Sequence, residues 1–216
     1  MSLKDKLNSL ETILSEKHPR LISNLLPPIL DKEEMHQALL KIVPGHLLPS
    51  NLIDLYSWKN GTTVKYIKLE HYNEINSDSF IIPAWFFMDF AESVLHFKEK
   101  NDVFKYKKEY YFPFLFTGFG HYLTLKLIPE RDKTIVSDGI YIATKPRQKI
   151  YGNYLYYKNM NIFIESVIEC YNHGAYYENT NGILSCNVQT ESEICYKLTP
   201  NSSHWHLQKF GELLKD

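Results

Sequence analysis

The chain has 216 residues, 44% of them hydrophobic and 23% charged, with a formal net charge of −1. That is an ordinary globular balance with material for one sizeable core, and it lacks the basic surplus through which nucleic-acid binders neutralise phosphate. Asp5, Glu11 and Glu16 interrupt the leucine-rich N-terminus, which excludes a standard signal peptide, and no apolar run approaches the about 20 residues of a membrane span; a soluble, cytoplasmic protein is expected.

In chain order, Leu3, Leu7, Leu10 and Leu14 form one apolar stripe and predict an amphipathic helix over residues 3–16, ended by His18-Pro19. Asp31, with Glu34 three residues on, predicts an N-cap and capping box for a helix that turns Met35, Leu39, Leu40 and Val43 inward and stops near Pro44-Gly45. Ser50 is the expected cap of the next helix, whose buried side is Leu52, Leu55, Tyr56 and Trp58. Asn60-Gly61 closes it, because both residues tolerate the left-handed conformation. Residues 63–69 and 78–87 are rich in β-branched and aromatic types and predict strands. Asp89 and Glu92 predict a second capping box, for a helix running to about residue 100.

A β section follows. Residues 110–117 form a strongly apolar strand, Gly118 and Gly120 a tight turn, and residues 121–127 a strand with Tyr122, Thr124 and Lys126 on one face and Leu123, Leu125 and Leu127 on the other. Residues 139–144 and 150–157 predict two further strands. Asn159 or Asn161 caps a helix carrying Phe163, Ile164, Val167, Ile168 and Tyr171, which Gly174 ends. Residues 190–198 predict a short helix, and Pro200-Asn201-Ser202 opens a last one through Trp205, Leu207, Phe210 and Leu213. Sequential strands joined by short turns and flanked by helices indicate an α+β fold: one domain, with a mainly antiparallel sheet packed by helices.

The charge is unevenly spread. Residues 98–149 hold eleven Lys/Arg against six Asp/Glu, whereas residues 159–196 hold five Glu (Glu165, Glu169, Glu178, Glu191 and Glu193) and no Lys or Arg. An acidic face steers a basic partner; a solvated helix face has the same composition. The sixteen tyrosines and twelve phenylalanines fit either a recognition surface or an aromatic core.

Catalytic patterns are missing from the sequence. There is no G-x-S-x-G elbow, P-loop or H-E-x-x-H, and Gly118-Phe119-Gly120 joins two strands and lacks the third glycine of a dinucleotide loop. His204-Trp205-His206 diverges on a helix, so no metal and no cofactor is expected. Cys170 and His173 form an i, i+3 pair, read either as a reactive pair or as a core thiol beside a helix-terminal histidine. The three cysteines, Cys170, Cys186 and Cys195, include no C-x-x-C pair and predict reduced thiols. Lys105, Lys107 and Lys108 with Tyr106, Tyr110 and Tyr111 are the candidate contacts for single-stranded nucleic acid; Glu99, Asp102 and Glu109 dilute that cluster.

Several segments together resemble the SUKH superfamily, the group of the fungal Smi/Knr cell-wall glucan synthesis regulators and many bacterial immunity proteins. The first is the helix introduced by Leu-Pro and closed by Asn-Gly, here Leu48, Pro49, Leu52, Tyr56, Asn60 and Gly61. The second is the apolar strand, glycine turn and second strand, here Phe112 to Phe116, Gly118, Gly120, and Tyr122 to Leu127. The third is the aromatic strand leading into a helix, matched by residues 154–171. The likeness covers roughly residues 27–175, leaving residues 1–26 as an N-terminal helical extension and 176–216 as a C-terminal helical extension packed on the same domain. The chain departs from the family's pattern at His121, where many members carry an acidic residue.

The resemblance implies a non-catalytic scaffold with a variable binding surface. Its role would be to neutralise a cognate toxin, as immunity proteins do, or to regulate cell-wall synthesis signalling; a cryptic enzyme using Cys170 or His121 is a further alternative. The motif residues themselves read as structural. The expected contacts for a protein partner are Glu165 and Glu169 with Tyr122, Tyr176 and Tyr177 as exposed tyrosines.

Overall fold

The computed structural model describes residues 1–29, 31–41, 43, 46, 48–63, 79–99, 105–106, 109–117, 120–130, 135–144 and 154–210. Helix α1 (Leu3–Lys17) begins with a complete capping box, in which Ser2 and Asp5 satisfy one another's backbone N–H groups. Its four stripe leucines are all buried, and they pack the helix on the long helix α6 (Met160–Asn172) and on α4 (Ser50–Trp58). His18 is its C-cap, as the following proline requires, but Pro19 then starts a short second helix, α2 (Pro19–Asn24), from its N1 position. Helix α3 (Lys32–Leu40) is capped by Asp31, whose carboxylate accepts the N–H groups of Glu33 and Glu34 at 2.9 and 3.2 Å. It ends earlier than expected, and Leu40 is only half-buried.

Helix α4 is built differently from expectation at its start. Pro49 is the N-cap and Ser50 is already helical, so no side chain caps it. Its end differs too: Lys59 is the C-cap, in extended backbone, and of the Asn60-Gly61 pair Gly61 alone takes a left-handed φ, +84°. Asn60 N–H donates to the Leu26 carbonyl (3.2 Å), Leu26 N–H to that of Gly61 (2.9 Å), and Thr62 N–H to that of Phe87 (2.9 Å). The Asn60 side chain accepts from Phe90 N–H at 2.9 Å. Residues 64–70, most of the strand expected over 63–69, lie outside the described residues.

The 78–87 segment is a hairpin instead of one strand: β1 (Phe80–Ile82) pairs antiparallel with β2 (Trp85–Phe87). The chain reverses at Pro83-Ala84 with Ala84 at φ +70°, a conformation that costs a non-glycine residue about 1–2 kcal/mol. Helix α5 (Phe90–Glu99) follows, with Asp89 Oδ1 accepting Glu92 N–H at 2.7 Å.

The sheet then adds β3 (Lys105–Tyr106), β4 (Glu109–Phe116), β5 (His121–Pro129), β6 (Ile135–Thr144) and β7 (Tyr154–Tyr157). All pairings are antiparallel, in the order β1-β2-β4-β5-β6-β7. β3 and β2 occupy opposite ends of one edge of β4. Gly120 has φ +91° in the turn before β5; Gly118 lies outside the described residues.

Helices pack on this sheet through aromatic contacts. Phe90 and Phe97 of α5 meet Phe112 at 5.8 and 6.4 Å between ring centroids, and Phe163 of α6 meets Phe114 at 5.7 Å. One continuous core runs from Leu3 to Trp205, so the arrangement is a single-domain α+β fold. After α6 the chain forms a separate two-stranded hairpin, β8 (Tyr176–Glu178) with β9 (Leu184–Cys186). Helices α7 (Val188–Leu198) and α8 (Ser203–Phe210) follow, and Trp205 of α8 is buried against Tyr156 and Tyr157 of β7. No helix among the described residues is long and apolar enough to cross a membrane.

Two glycines with similar dihedrals sit in different surroundings. A Cβ on Gly61 would meet the backbone of Asp89 and lie 2.6 Å from the carbonyl carbon of Met88, whereas one on Gly174 (φ +70°) would meet nothing within 4 Å. Gly174→Ala is therefore expected to cost about 1–2 kcal/mol, the strain alone, and Gly61→Ala clearly more, because packed backbone must also move. Urea unfolding of both variants checks the order; equal losses would contradict the close approach at Gly61.

Candidate functional site

The candidate site lies where the C-terminal ends of α1 and α6 meet the β8–β9 hairpin. Helix α6 starts at Asn159, whose side chain accepts Ile162 N–H at 2.9 Å. It ends in a Schellman-type turn: Ala175 N–H donates to the Cys170 carbonyl at 2.8 Å and Gly174 N–H to that of Tyr171 at 3.4 Å. That reversal feeds the chain directly into β8. The return turn is organised by Asn179, whose Oδ1 accepts the N–H groups of Asn181 and Ile183 at 2.9 and 3.1 Å, and by Gly182 at φ +74°.

Strand alternation then sorts the hairpin's side chains. Tyr176 and Leu184 point inward, while Tyr177 and Ile183 are 47% and 46% exposed. Tyr177 pairs with Ser185 across the hairpin, which makes Ile183 its diagonal neighbour.

A carboxylate anchors the inner face. Tyr176 Oη donates to Glu191 Oε1 of α7 at 2.6 Å, and Cys186 Sγ–H donates to Glu191 Oε2 at 3.1 Å. Burial holds the Glu191 carboxyl above the usual carboxylate range, against the two hydrogen bonds. Burial, followed by the adjacent Glu191 carboxylate, pushes the Cys186 thiol far up, so this thiol stays protonated and unreactive.

Next to the hairpin opens a pocket of 340 Å³ lined by Lys17, His18, Tyr171, Tyr176, Tyr177 and Glu178, among others. The Lys17 ammonium donates to the Tyr171 carbonyl at 2.6 Å, which adds a charged donor to a carbonyl in the last turn of α6 and ties the two helix ends together. His18 is 1% exposed, and neither ring nitrogen has a hydrogen-bond partner. Glu178 Oε2 lies 3.7 Å from its Nδ1.

The expected contact residues fare unequally. Tyr177 is exposed at the pocket rim. Tyr122 and Tyr176, expected as exposed tyrosines, are buried at 0% and 2%. Tyr122 stacks on Phe116 at 4.8 Å, with its hydroxyl 2.9 Å from His96 Nδ1, because α5 reaches over the face of β5 that alternation alone leaves open. Glu165 and Glu169 are at the surface, but Glu165 bridges to Lys6 of α1 at 2.7 Å and Glu169 lies 3.4 Å from the His173 ring. Glu191 is half-buried and engaged by Tyr176 and Cys186, so the displayed acidity of the 159–196 stretch comes down to Glu169, Glu178 and Glu193.

Among the other candidates, Cys170 is fully buried and His173 is exposed, with its Nδ1 3.0 Å from the Glu169 carbonyl; they form no reactive pair. Within the lysine–tyrosine cluster, Lys107 and Lys108 lie outside the described residues. His204 packs on Tyr156 at 4.4 Å, and burial lowers its pKa to about 4. Among the described residues no three His, Cys, Asp or Glu side chains form a group that could hold a metal ion.

The motif residues sit where they hold the fold. Leu48 and Leu52 are buried, Pro49 starts α4, and Tyr56 is buried with its hydroxyl 2.9 Å from Ser93 Oγ. His18 and the hairpin were both missed. Asn181-Gly182 between two short aromatic and aliphatic runs is the signal that marks such a hairpin.

No protein-family model matches this chain, and no curated protein matches it. The likeness to the SUKH superfamily rests on the residues quoted for it.

Burial makes the charged form of Glu191 costlier in the folded chain than in the unfolded one, against its two hydrogen bonds. A carboxyl with a raised folded-state pKa contributes stability below its unfolded value of 4.5 and loses it as pH rises through the folded value. Glu191→Gln removes that loss, so its stability relative to the unmodified chain is expected to improve as pH rises from 4 to 7. Unfolding curves across that range test it; a relative stability that falls with pH would contradict the burial-driven shift.

Proposed function

We propose that this chain is a non-catalytic protein-binding domain that neutralises a toxic partner by stoichiometric occlusion, with the outer face of the β8–β9 hairpin as its central contact. The observation that carries the reading is that Tyr177 and Ile183 lie diagonally on that outer face, both nearly half exposed, beside a pocket lined by tyrosines and a carboxylate. Aromatic anchors next to a pocket are what binding hot spots are made of. Val188, at the start of α7, is also exposed. Glu169, Glu178 and Glu193 add a local negative potential that favours a basic partner surface.

The inner side of the hairpin supports the same reading. It is tied down through Tyr176, Cys186 and Glu191, so the outer face is presented on a fixed scaffold, and less entropy is lost when a partner docks. The immunity role comes from the SUKH resemblance, in which such a scaffold carries a variable binding surface.

The test is capture of the tagged chain's partner from its own cells. One stoichiometric partner that is toxic when expressed alone is expected. The double variant Tyr177→Ala with Ile183→Ser is expected to retain it at least about tenfold less well, with unchanged thermal stability because both side chains point to solvent. Undiminished retention by that variant, or a partner harmless when expressed alone, would contradict the proposal.

A further inference from the structure

We infer that the pocket between α1, α6 and the hairpin is a receptor for a basic side chain of the partner, with a guanidinium as the best fit. This deepens the protein-binding reading and rests on it. The first argument is an unmet hydrogen-bonding need. His18 is buried and lines the pocket, yet neither ring nitrogen is partnered, whereas nearly all buried polar side-chain atoms find a partner. A neutral imidazole presents one acceptor nitrogen and one donor. The Glu178 carboxylate stands 3.7 Å from Nδ1, so the pocket offers a carboxylate acceptor beside an imidazole that keeps one acceptor nitrogen, and a guanidinium carries N–H donors enough for both.

The second argument is electrostatic. The pocket is reached by the C-terminal ends of two helices, α1 at Lys17-His18 and α6 at Tyr171-Gly174. Each end carries a partial negative charge of about half a unit. Glu178 adds a full one. The basic groups nearby are Lys17, Arg20 and His173. The Lys17 ammonium is already held at 2.6 Å by the Tyr171 carbonyl, and His173 lies against Glu169. Arg20 approaches Gly182, as Glu178 does, but makes no ion pair with Glu178. Among the described residues, the group facing the carboxylate is thus the His18 imidazole.

The third argument is the walls. Tyr171, Tyr176 and Tyr177 line the pocket, and Tyr177 offers its exposed ring at the rim. Aromatic faces attract guanidinium and ammonium groups, arginine most often. An anionic or purely apolar occupant would leave Glu178 and the two helix ends uncompensated.

The experiment is an NMR titration of the full chain, following the His18 ring resonances. The probe is N-acetyl-arginine methylamide; the comparison ligands are the citrulline analogue, which is similar in shape and neutral, and acetate. A saturable shift with the arginine probe in the millimolar range is expected, with at least about tenfold weaker binding in Glu178→Gln. The melting temperature of that variant should be little changed, since the Glu178 side chain makes no hydrogen bond among the described residues and stands 3.7 Å from His18.

Equal shifts with the citrulline analogue would show that charge is not read and would overturn the inference. So would a response to acetate alone, or an unmoved His18 ring. If the arginine probe binds but no partner is ever retained by the chain, the pocket stands and the protein-binding reading falls. If a partner is retained through Tyr177 and Ile183 while the probe leaves His18 unmoved, this inference alone falls.

Discussion

Around Gly61 the backbone passes so close to Met88 and Asp89 that no side chain fits between them. In that narrow space three chain segments are joined by backbone hydrogen bonds: the stretch after α2 through Leu26, the end of α4 through Asn60 and Gly61, and β2 through Phe87. Asn60 adds a side-chain bond to the first turn of α5. The consequence is positional. The direction of α4, the entry of α5 and the edge of the sheet are all fixed at one point, and the aromatic contacts of α5 with β4 follow from it. α1 is drawn into the same frame, since Glu11 receives both the Trp58 indole N–H at 2.8 Å and the Lys59 ammonium at 2.8 Å.

The candidate site is the far end of this frame. A two-stranded hairpin alone is marginal in water, and β8–β9 pairs with no other strand among the described residues. Its position is set instead by the Schellman turn at Gly174, by the bond from Asn187 N–H to the Ala175 carbonyl at 2.8 Å, and by the Tyr176–Glu191–Cys186 group. The last of these works against a desolvation cost, because a carboxylate is half-buried to hold it. What the arrangement gives in return is a hairpin whose inner face is determined and whose outer face remains open.

Much of the fold was legible in the sequence, because periodicity and capping act over a few residues. The leucine stripe of α1, the Asp31, Asp89 and Asn159 caps, the β4–β5 pair and the Gly174 stop all appear as read. The misses share a cause: each depends on contacts distant in sequence. Ser50 looks like a cap until Pro49 is seen to occupy that position. Residues 78–87 look like one strand until Ala84 takes a positive φ that only the surrounding structure maintains. Tyr122 falls on the polar-looking face of β5 and is buried because α5, from earlier in the chain, delivers His96 onto it. Glu191 counts as surface charge in any tally of residues 159–196, yet Tyr176 and Cys186 engage both its oxygens. Within the site, Tyr177 and the acidic character of α6 were legible. His18 was not, since only the meeting of two helix ends makes a pocket of it.

The central claim is that a partner covers the β8–β9 hairpin. The most direct measurement is amide hydrogen exchange of the chain alone and in complex with its purified partner. The account predicts that slowed exchange on binding centres on residues 176–186 and the adjoining start of α7, with β5 and β6 unchanged. Protection confined to β5 and β6, with the hairpin amides exchanging as in the free chain, would contradict it.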